Sequence, residues 1–431
     1  MNTSSSDFKP VVASDRINSL DIIRGFAVLG ILLMNITGFG LPWAYADPTI
    51  SGGSEGLNLK VWIMNGLFFE GTMRGLFTLL YGAGVILLTD RLQKREAGIE
   101  TADIYYRRVL WLLLFGLFHA YILLWDGEIL YHYALFGLML FPFRNTKPKT
   151  LVILAVVLMG VGTLLEVSEY QEKKEMVEKG MAVELLEKKG DSLSKDQKGE
   201  LEAYQNFKKK PPQEKLEEIT EGLRGSYVDA FWTKVPETKW MQTSFIYRYG
   251  AWDLLAMMFI GMAFFKWGIL QNEKSTGFYL AFALVGYGLG LLVNFYEVQA
   301  EVSSNWDRLV LTEMAQTYNI GRFFVTMGHI GLVMLFIRWR VLGFLNSAFA
   351  AVGRMALTNY VMHSIFAAFI FYGFGFGLFG KLQRFELYYV VAGIWAFQLI
   401  FSPIWLRYFH FGPAEWLWRS LTYKKKQPFK R

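Results

Sequence analysis

The apolar positions of this chain do not alternate on a strand period, nor do they line one face of otherwise polar helices. They come in unbroken blocks of about twenty, the length a helix needs to cross the hydrocarbon core of a bilayer. Ten blocks are read, at roughly 20–40, 61–89, 107–125, 128–143, 150–167, 245–270, 276–296, 318–337, 349–376 and 387–409. They predict an all-α fold, a polytopic membrane helical bundle of about ten transmembrane helices. The fourth block is short while the second and ninth are long, which predicts tilted or broken helices there. Glycines 66, 71, 75, 82 and 84 in the second block, and 373, 375 and 377 beside the ninth, mark breaks or close packing. The first nineteen residues are polar, and the block that follows is long and lacks a small-residue cleavage pattern, so it reads as a retained helix.

Composition agrees with the pattern. Of 431 residues, 53% are hydrophobic and only 19% charged, against about a quarter charged in soluble domains. This excludes a soluble enzyme, a disordered protein and a DNA-binding module. The net charge of +7 therefore concerns topology, not nucleic acid. Lys and Arg concentrate in alternate short loops: Arg91, Lys94, Arg95, Arg107 and Arg108, then Arg144, Lys147 and Lys149, then Arg338 and Arg340, then the tail Lys424, Lys425, Lys426, Lys430 and Arg431. The opposite side carries Asp47, Glu55, Asp126, Glu128, Glu297 and Glu301. The positive-inside rule then predicts both termini in the cytoplasm of a cell (plasma) membrane protein. Three parts follow: an N-terminal membrane half at 1–168, an extracytoplasmic charged helical loop at 169–243, and a C-terminal membrane half at 244–431 with a basic tail. The loop reads either as a helical cap or as a grip for an external substrate. With no cysteine, thiol nucleophiles and disulfides are excluded.

Ionisable residues at bilayer depth cost about 2.5–3.5 kcal/mol each on insertion scales, so each needs a partner, a cavity or a function. On the first helix, Arg24 and Asn35 lie about 20° apart and Asp21 about 60° from Arg24. That face is either a structural Asp–Arg pair or the wall of a cavity. Glu70 and Arg74 are spaced i,i+4 in the favoured order, which predicts an internal bridge or a guanidinium lining a site. Helices three and four meet at Trp125-Asp126-Gly127-Glu128, bringing together His119, Glu128 and His132, with Glu128 and His132 spaced i,i+4. A carboxylate beside an imidazole fixes its tautomer and suits it to general-base work. Later helices add Arg322, His329, Asn359 and His363. No His-x-x-x-His or comparable ligand spacing occurs, so no metal site is expected.

The motifs resemble a family. Arg16-Ile17-x-x-Leu20-Asp21-x-x-Arg24-Gly25-Phe26-Ala27-x-Leu29-Gly30-Ile31-x-x-Met34-Asn35 looks like the start of the YeiB-like bacterial multi-pass membrane proteins of unknown function. So do Arg74-Gly75-Leu76-Phe77 with Tyr81-Gly82-x-Gly84, Gly116-x-x-His119, Asp126-Gly127-Glu128-Ile129-Leu130, Gly353-Arg354-Met355-Ala356-Leu357-Thr358-Asn359-Tyr360 with His363-Ser364, and Phe411-Gly412-Pro413-x-Glu415-Trp416-Leu417-Trp418-Arg419. The first-helix Asp-x-x-Arg-Gly pattern with its later Asn is also similar to heparan-glucosaminide acetyltransferases and related transmembrane acyltransferases. Those enzymes carry an acyl group from cytoplasmic acyl-CoA to an acceptor, often a sugar, on the far side. They place a catalytic His in the loop after the first helix; residues 36–60 here contain none, so a base would come from elsewhere.

On that resemblance the expected function is a membrane-embedded acyltransferase with no permanently bound cofactor and acyl-CoA as donor. Arg24, Arg107, Arg108 and Arg354 would meet the donor's phosphates, with Asp21, Arg74 and Asn359 also on the substrate side. His119, Glu128, His132 and His363 supply the candidate base, and Asn35 or Arg74 the oxyanion donor, for a sugar or lipid acceptor arriving from outside. The alternative is a transporter of a small polar or anionic compound, in which the same residues bind substrate or relay protons. A third reading is a non-catalytic scaffold, which predicts buried charges that pair with one another and leave no cavity.

Overall fold

The computed structural model describes residues 16–94, 96–340 and 343–431. Arg95, counted above among the topology-setting cations, and the first fifteen residues lie outside the described part. Among the described residues the chain folds as an all-helical bundle, in order α1 (Asn18–Gly40), α2 (Gly56–Met64), α3 (Thr72–Gln93), α4 (Glu100–Tyr121), α5 (Leu130–Leu140), α6 (Pro148–Lys188), α7 (Lys195–Lys208), α8 (Gln213–Arg224), α9 (Tyr227–Trp240), α10 (Ala251–Lys266), α11 (Thr276–Ser303), α12 (Arg308–Trp339), α13 (Gly343–Arg354), α14 (Ala356–Phe371), α15 (Leu387–Tyr408) and α16 (Pro413–Thr422).

Six stretches among the described residues are long and apolar enough to cross a membrane: α1, the α2–α3 unit, α6, α11, α12 and α15. The protein is a helical membrane protein. Of the other expected blocks, α4 is a full 22-residue helix that carries more charge, while α5 has only 11 residues and α10 has 16. α1 is central, with 72% of its apolar window buried, whereas only 17% of that of α6 is buried. The outer helices therefore offer their apolar faces to lipid rather than to protein.

Both long blocks break, each for a different reason. Between α2 and α3 a π-turn at Asn65–Phe69 ends at Gly71, whose φ of 68° is left-handed and suits glycine. The ninth block breaks at Met355, between α13 and α14; the glycines at 373–377 lie beyond α14. Close approach fixes the inner helices. A Cβ on Gly25 would collide with the Phe349 carbonyl of α13, and one on Gly353 with the Asp21 carbonyl of α1. Gly82 and Gly261 play the same reciprocal part between α3 and α10.

The charged segment 169–243 is an ordered cap. α6 runs on past the apolar block as a charged helix with i,i+4 pairs such as Glu175–Lys179, 2.7 Å. α7 folds back on it through Val177, Val183, Leu201 and Tyr204. α8 and α9 then dock on one end of the bundle: Arg224 Nε donates to the Phe379 carbonyl (2.8 Å), and Lys234 bridges both carboxylate oxygens of Asp126 (3.1 Å). This is the loop end. The opposite, basic end gathers the first turn of α1, Arg354 at the end of α13, and α16.

Candidate functional site

At the basic end a cavity of about 300 Å³ opens between α1, α3, α4, α5, α13, α14 and α16, at the lower end of the usual range for ligand sites. The sequence builds it in steps. The Gly25–Gly353 contact presses the end of α13 against the first turns of α1, so Arg354 meets Asp21 and Arg24. Arg24 pairs with Asp21 at 3.0 Å. The break at Met355 leaves the first amides of α14 without helical partners. Glu415 of α16 caps them, accepting from Leu357 N (2.6 Å), Thr358 N (3.1 Å) and Thr358 Oγ1 (2.5 Å). α16 is anchored on α4, where the Arg108 guanidinium lies 3.5 Å over the Trp418 ring and Trp418 Nε1 donates to the Arg108 carbonyl (2.9 Å).

The cavity walls divide by chemistry. Six arginines (16, 24, 91, 108, 354 and 419) face two carboxylates, Asp21 and Glu415, among the described residues. Asp21 and Glu415 are already engaged, so the mouth is a net cationic site. Burial, together with the nearby Arg16 and Arg24 charges, holds the Arg419 guanidinium below its ordinary value. Inward the lining turns apolar and aromatic, through Phe77, Leu80, Val109 and Leu112 to Leu130, Tyr133 and Tyr360. The site suits a ligand with an anionic head and a long apolar or weakly polar arm.

Beyond the inner end lies a second polar group. His119 of α4 is buried; its Nε2 is 2.6 Å from Ser364 Oγ of α14, and its Nδ1 is 3.6 Å from Glu128 Oε1. Glu128 in turn accepts from the Leu130 and Tyr131 amides that open α5. Tyr360 connects the two regions: it lines the cavity and its ring packs edge-on to His119, centroids 4.9 Å apart.

The expected site residues thus separate. Asp21, Arg24, Arg108 and Arg354 share the cavity. Arg107 instead pairs with Asp103, donates to the Thr422 carbonyl (2.8 Å) and lines a shallow groove beside Trp111, Trp416 and Lys424. His119 and Glu128 stand together behind Tyr360, whereas Glu128 turns its carboxylate to the α5 amides and His119 rather than to His132. His132 is buried, with Nε2 lacking a partner. His363 Nε2 sits 3.0 Å from Gln398 Oε1, and Asn359 donates to the Val352 carbonyl and Ser402; both serve α14–α15 packing. Asn35 is half-buried on α1, outside the cavity lining. The Glu70–Arg74 bridge does not form. The left-handed Gly71 breaks the helix between them, and Arg74 pairs with Asp253 of α10 at 2.8 Å.

Sequence reasoning missed Ser364, Arg16, Arg91 and Arg419 as site residues. Arg419 and Ser364 stood inside motif matches, but nothing local marks their convergence.

Residues 264–425 match a family described as "Protein of unknown function (DUF418)". The chain is 30% identical over 441 residues to "Uncharacterized protein YxaH" of Bacillus subtilis (strain 168), covering 98% of each chain. It is 31% identical over 421 residues to "Uncharacterized protein YeiB" of Escherichia coli (strain K12), covering 95% of this chain and 97% of the relative. No solved structure matches.

Proposed function

The chain belongs to the YeiB-like family, and we propose that it is a membrane-embedded acyltransferase of the plasma membrane, moving an acyl group from cytoplasmic acyl-CoA to a hydroxyl or amine, such as that of a sugar or lipid, on the far side. The observation that carries this reading is the cavity: a cationic mouth continuous with an apolar interior that ends against Tyr360, with His119 behind that ring. A volume of about 300 Å³ admits an acyl-pantetheine arm and leaves the nucleotide and its phosphates outside, at the arginines. Guanidinium groups are suited to phosphates because their planar donors bind two oxygens at once. The arm would bring its thioester toward the inner end, where His119, held between Ser364 and Glu128, is the base best placed to take a proton. Nothing comparable surrounds His132 or His363, which makes them weaker candidates. The acidic cluster of Glu70, Glu297 and Glu301 about Arg322 favours the alternative of a transporter that relays protons.

Calorimetric titration of CoA and acetyl-CoA into detergent-purified protein tests the reading. The wild type is expected to bind both in the micromolar range. Arg24→Ala should weaken binding about 10- to 100-fold, the worth of one charge-assisted contact. Gly84→Leu should abolish binding while leaving the fold intact, because a side chain at this cavity-lining position meets open space. Folded wild-type protein that binds neither compound would defeat the reading.

A further inference from the structure

We propose that Ser364 is a nucleophile, and that acyl transfer passes through an acyl-serine formed at a buried Ser364–His119–Glu128 relay. The inference rests on the acyltransferase reading for the identity of the donor, but on its own geometry for the nucleophile. α4 and the turn after it supply His119 and Glu128, α14 supplies Ser364 from 245 positions away, and they meet in the order that activating a hydroxyl requires. Ser364 Oγ is 2.6 Å from His119 Nε2, the distance of a proton ready to move. The other ring nitrogen, Nδ1, faces Glu128 Oε1 at 3.6 Å and has no hydrogen bond among the described residues. That contact is loose for a resting imidazole and has room to tighten when the ring becomes an imidazolium. Glu128 cannot swing away, since the Leu130 and Tyr131 amides hold its oxygens.

Burial sharpens the assignment. Ser364 and His119 are each 1% exposed and Glu128 2%, so the relay is shielded from lipid and water. A polar contact that merely joined α4 to α14 would need the serine and histidine alone. Glu128 caps the first amides of α5, but a cap alone would not need to set its carboxylate on the remaining ring nitrogen of His119. The same turn also carries Trp125, whose buried indole N–H has no hydrogen-bond partner among the described residues. It interacts with the Tyr360 side chain, so it becomes a donor of the type that stabilises an oxyanion once that ring turns aside. Access runs through Tyr360, one helical turn before Ser364 on α14. Its ring lines the cavity and touches His119, so turning it aside opens the relay to the thioester.

The chemistry balances with the two substrates already named. His119 Nε2 takes the Ser364 proton as Oγ bonds to the thioester carbonyl carbon. The carbon–sulfur bond breaks, and the departing thiolate takes the proton from the imidazolium, leaving free thiol and acyl-serine. The acceptor hydroxyl or amine then gives its proton to His119 and bonds to the same carbon. The ester bond to Oγ breaks, and the proton returns to Ser364. No oxidant or further co-reactant is consumed.

A membrane-permeant fluorophosphonate, which phosphonylates activated serines whatever their natural donor, provides the test when followed by peptide mass spectrometry. The wild-type protein is expected to carry the adduct on Ser364. His119→Ala should slow its formation about 100-fold or more, the usual contribution of a general base. Tyr360→Ala should speed it by opening the route, and Ser364→Ala should abolish it while eluting as folded protein. Folded wild type with no adduct on Ser364 overturns the inference, as does labelling that is indifferent to His119→Ala. Calorimetry keeps the two claims apart. CoA binding without an adduct would overturn the nucleophile and spare the acyltransferase. An adduct without CoA binding would uphold the nucleophile and refute the proposed donor.

Discussion

Two regions of the bundle bury guanidinium groups, and they treat them in opposite ways. Between α3, α10, α11 and α12 each arginine is matched. Arg74 meets Asp253 at 2.8 Å; Arg322 pairs with Glu297, donates to Asn294 Oδ1 (3.2 Å) and lies 4.0 Å over the Tyr318 ring. The extra carboxylates, Glu70 and Glu301, keep partial exposure at the edge. At the basic end, six arginines crowd a cavity with two carboxylates that are already engaged. The first arrangement closes on itself and holds helices in register. The second leaves like charges together around open space, an arrangement that costs stability and is repaid when an anion arrives. The same residue type thus reads as structural in one place and as a site in the other, and what distinguishes them is the excess of like charge around open space, not the burial.

Removing one arginine from each region tests that contrast, and the largest effect belongs to the matched region. Arg322→Leu leaves Glu297, 1% exposed, without its counter-charge. Breaking a buried pair on one side costs about 3–5 kcal/mol, so the variant should melt far below the wild type in detergent or fail to accumulate. Arg354→Ala should do the reverse. Its carboxylate neighbour, Asp21, is already paired with Arg24, and Arg16 and Arg431 are its like-charged neighbours. Thermal stability should hold or rise, while affinity for CoA falls about 10- to 100-fold. Equal destabilisation by the two substitutions would break the comparison.

How far this was legible in the sequence follows from which interactions are local. The helical blocks were legible because a bilayer demands long apolar runs whatever the tertiary structure. The break at Gly71 carried a signal, since glycine alone adopts its backbone freely. The break at Met355 carried none: it is stabilised by Glu415, which arrives from α16, fifty-eight positions after the Leu357 amide that it caps. The Glu70–Arg74 spacing misled because the i,i+4 rule assumes an unbroken helix. Arg24, Arg108 and Arg354 stood out as cations beside apolar blocks, but their meeting with Arg16, Arg91 and Arg419 is a property of packing. Ser364 was hidden for a plainer reason: a serine in an apolar helix is ordinary, and only its distance to His119 makes it otherwise.

The Lys234–Asp126 bridge lies between the two extremes and should give the smallest effect. It ties α9 of the cap to the α4–α5 turn that carries Glu128. Burial alone would pull the Lys234 ammonium down, but the Asp126 carboxylate outweighs it and the pKa is raised. A lysine raised in the folded protein contributes stability that is complete below its unfolded value, about 10.4. That contribution is lost only as pH climbs through the folded value. Lys234→Met should therefore lower stability by the same amount at pH 6 and pH 8. The loss should be about 1–3 kcal/mol, less than for Arg322→Leu, because the Asp126 side chain is 18% exposed and water can reach it while Glu297 is sealed at 2%. CoA affinity should not change, since the bridge stands at the loop end, remote from the arginines. A deficit that differs between the two pH values would mean that Glu237, the acid beside the bridge, titrates between them, and a change in CoA affinity would mean that the cap and the cavity are not independent.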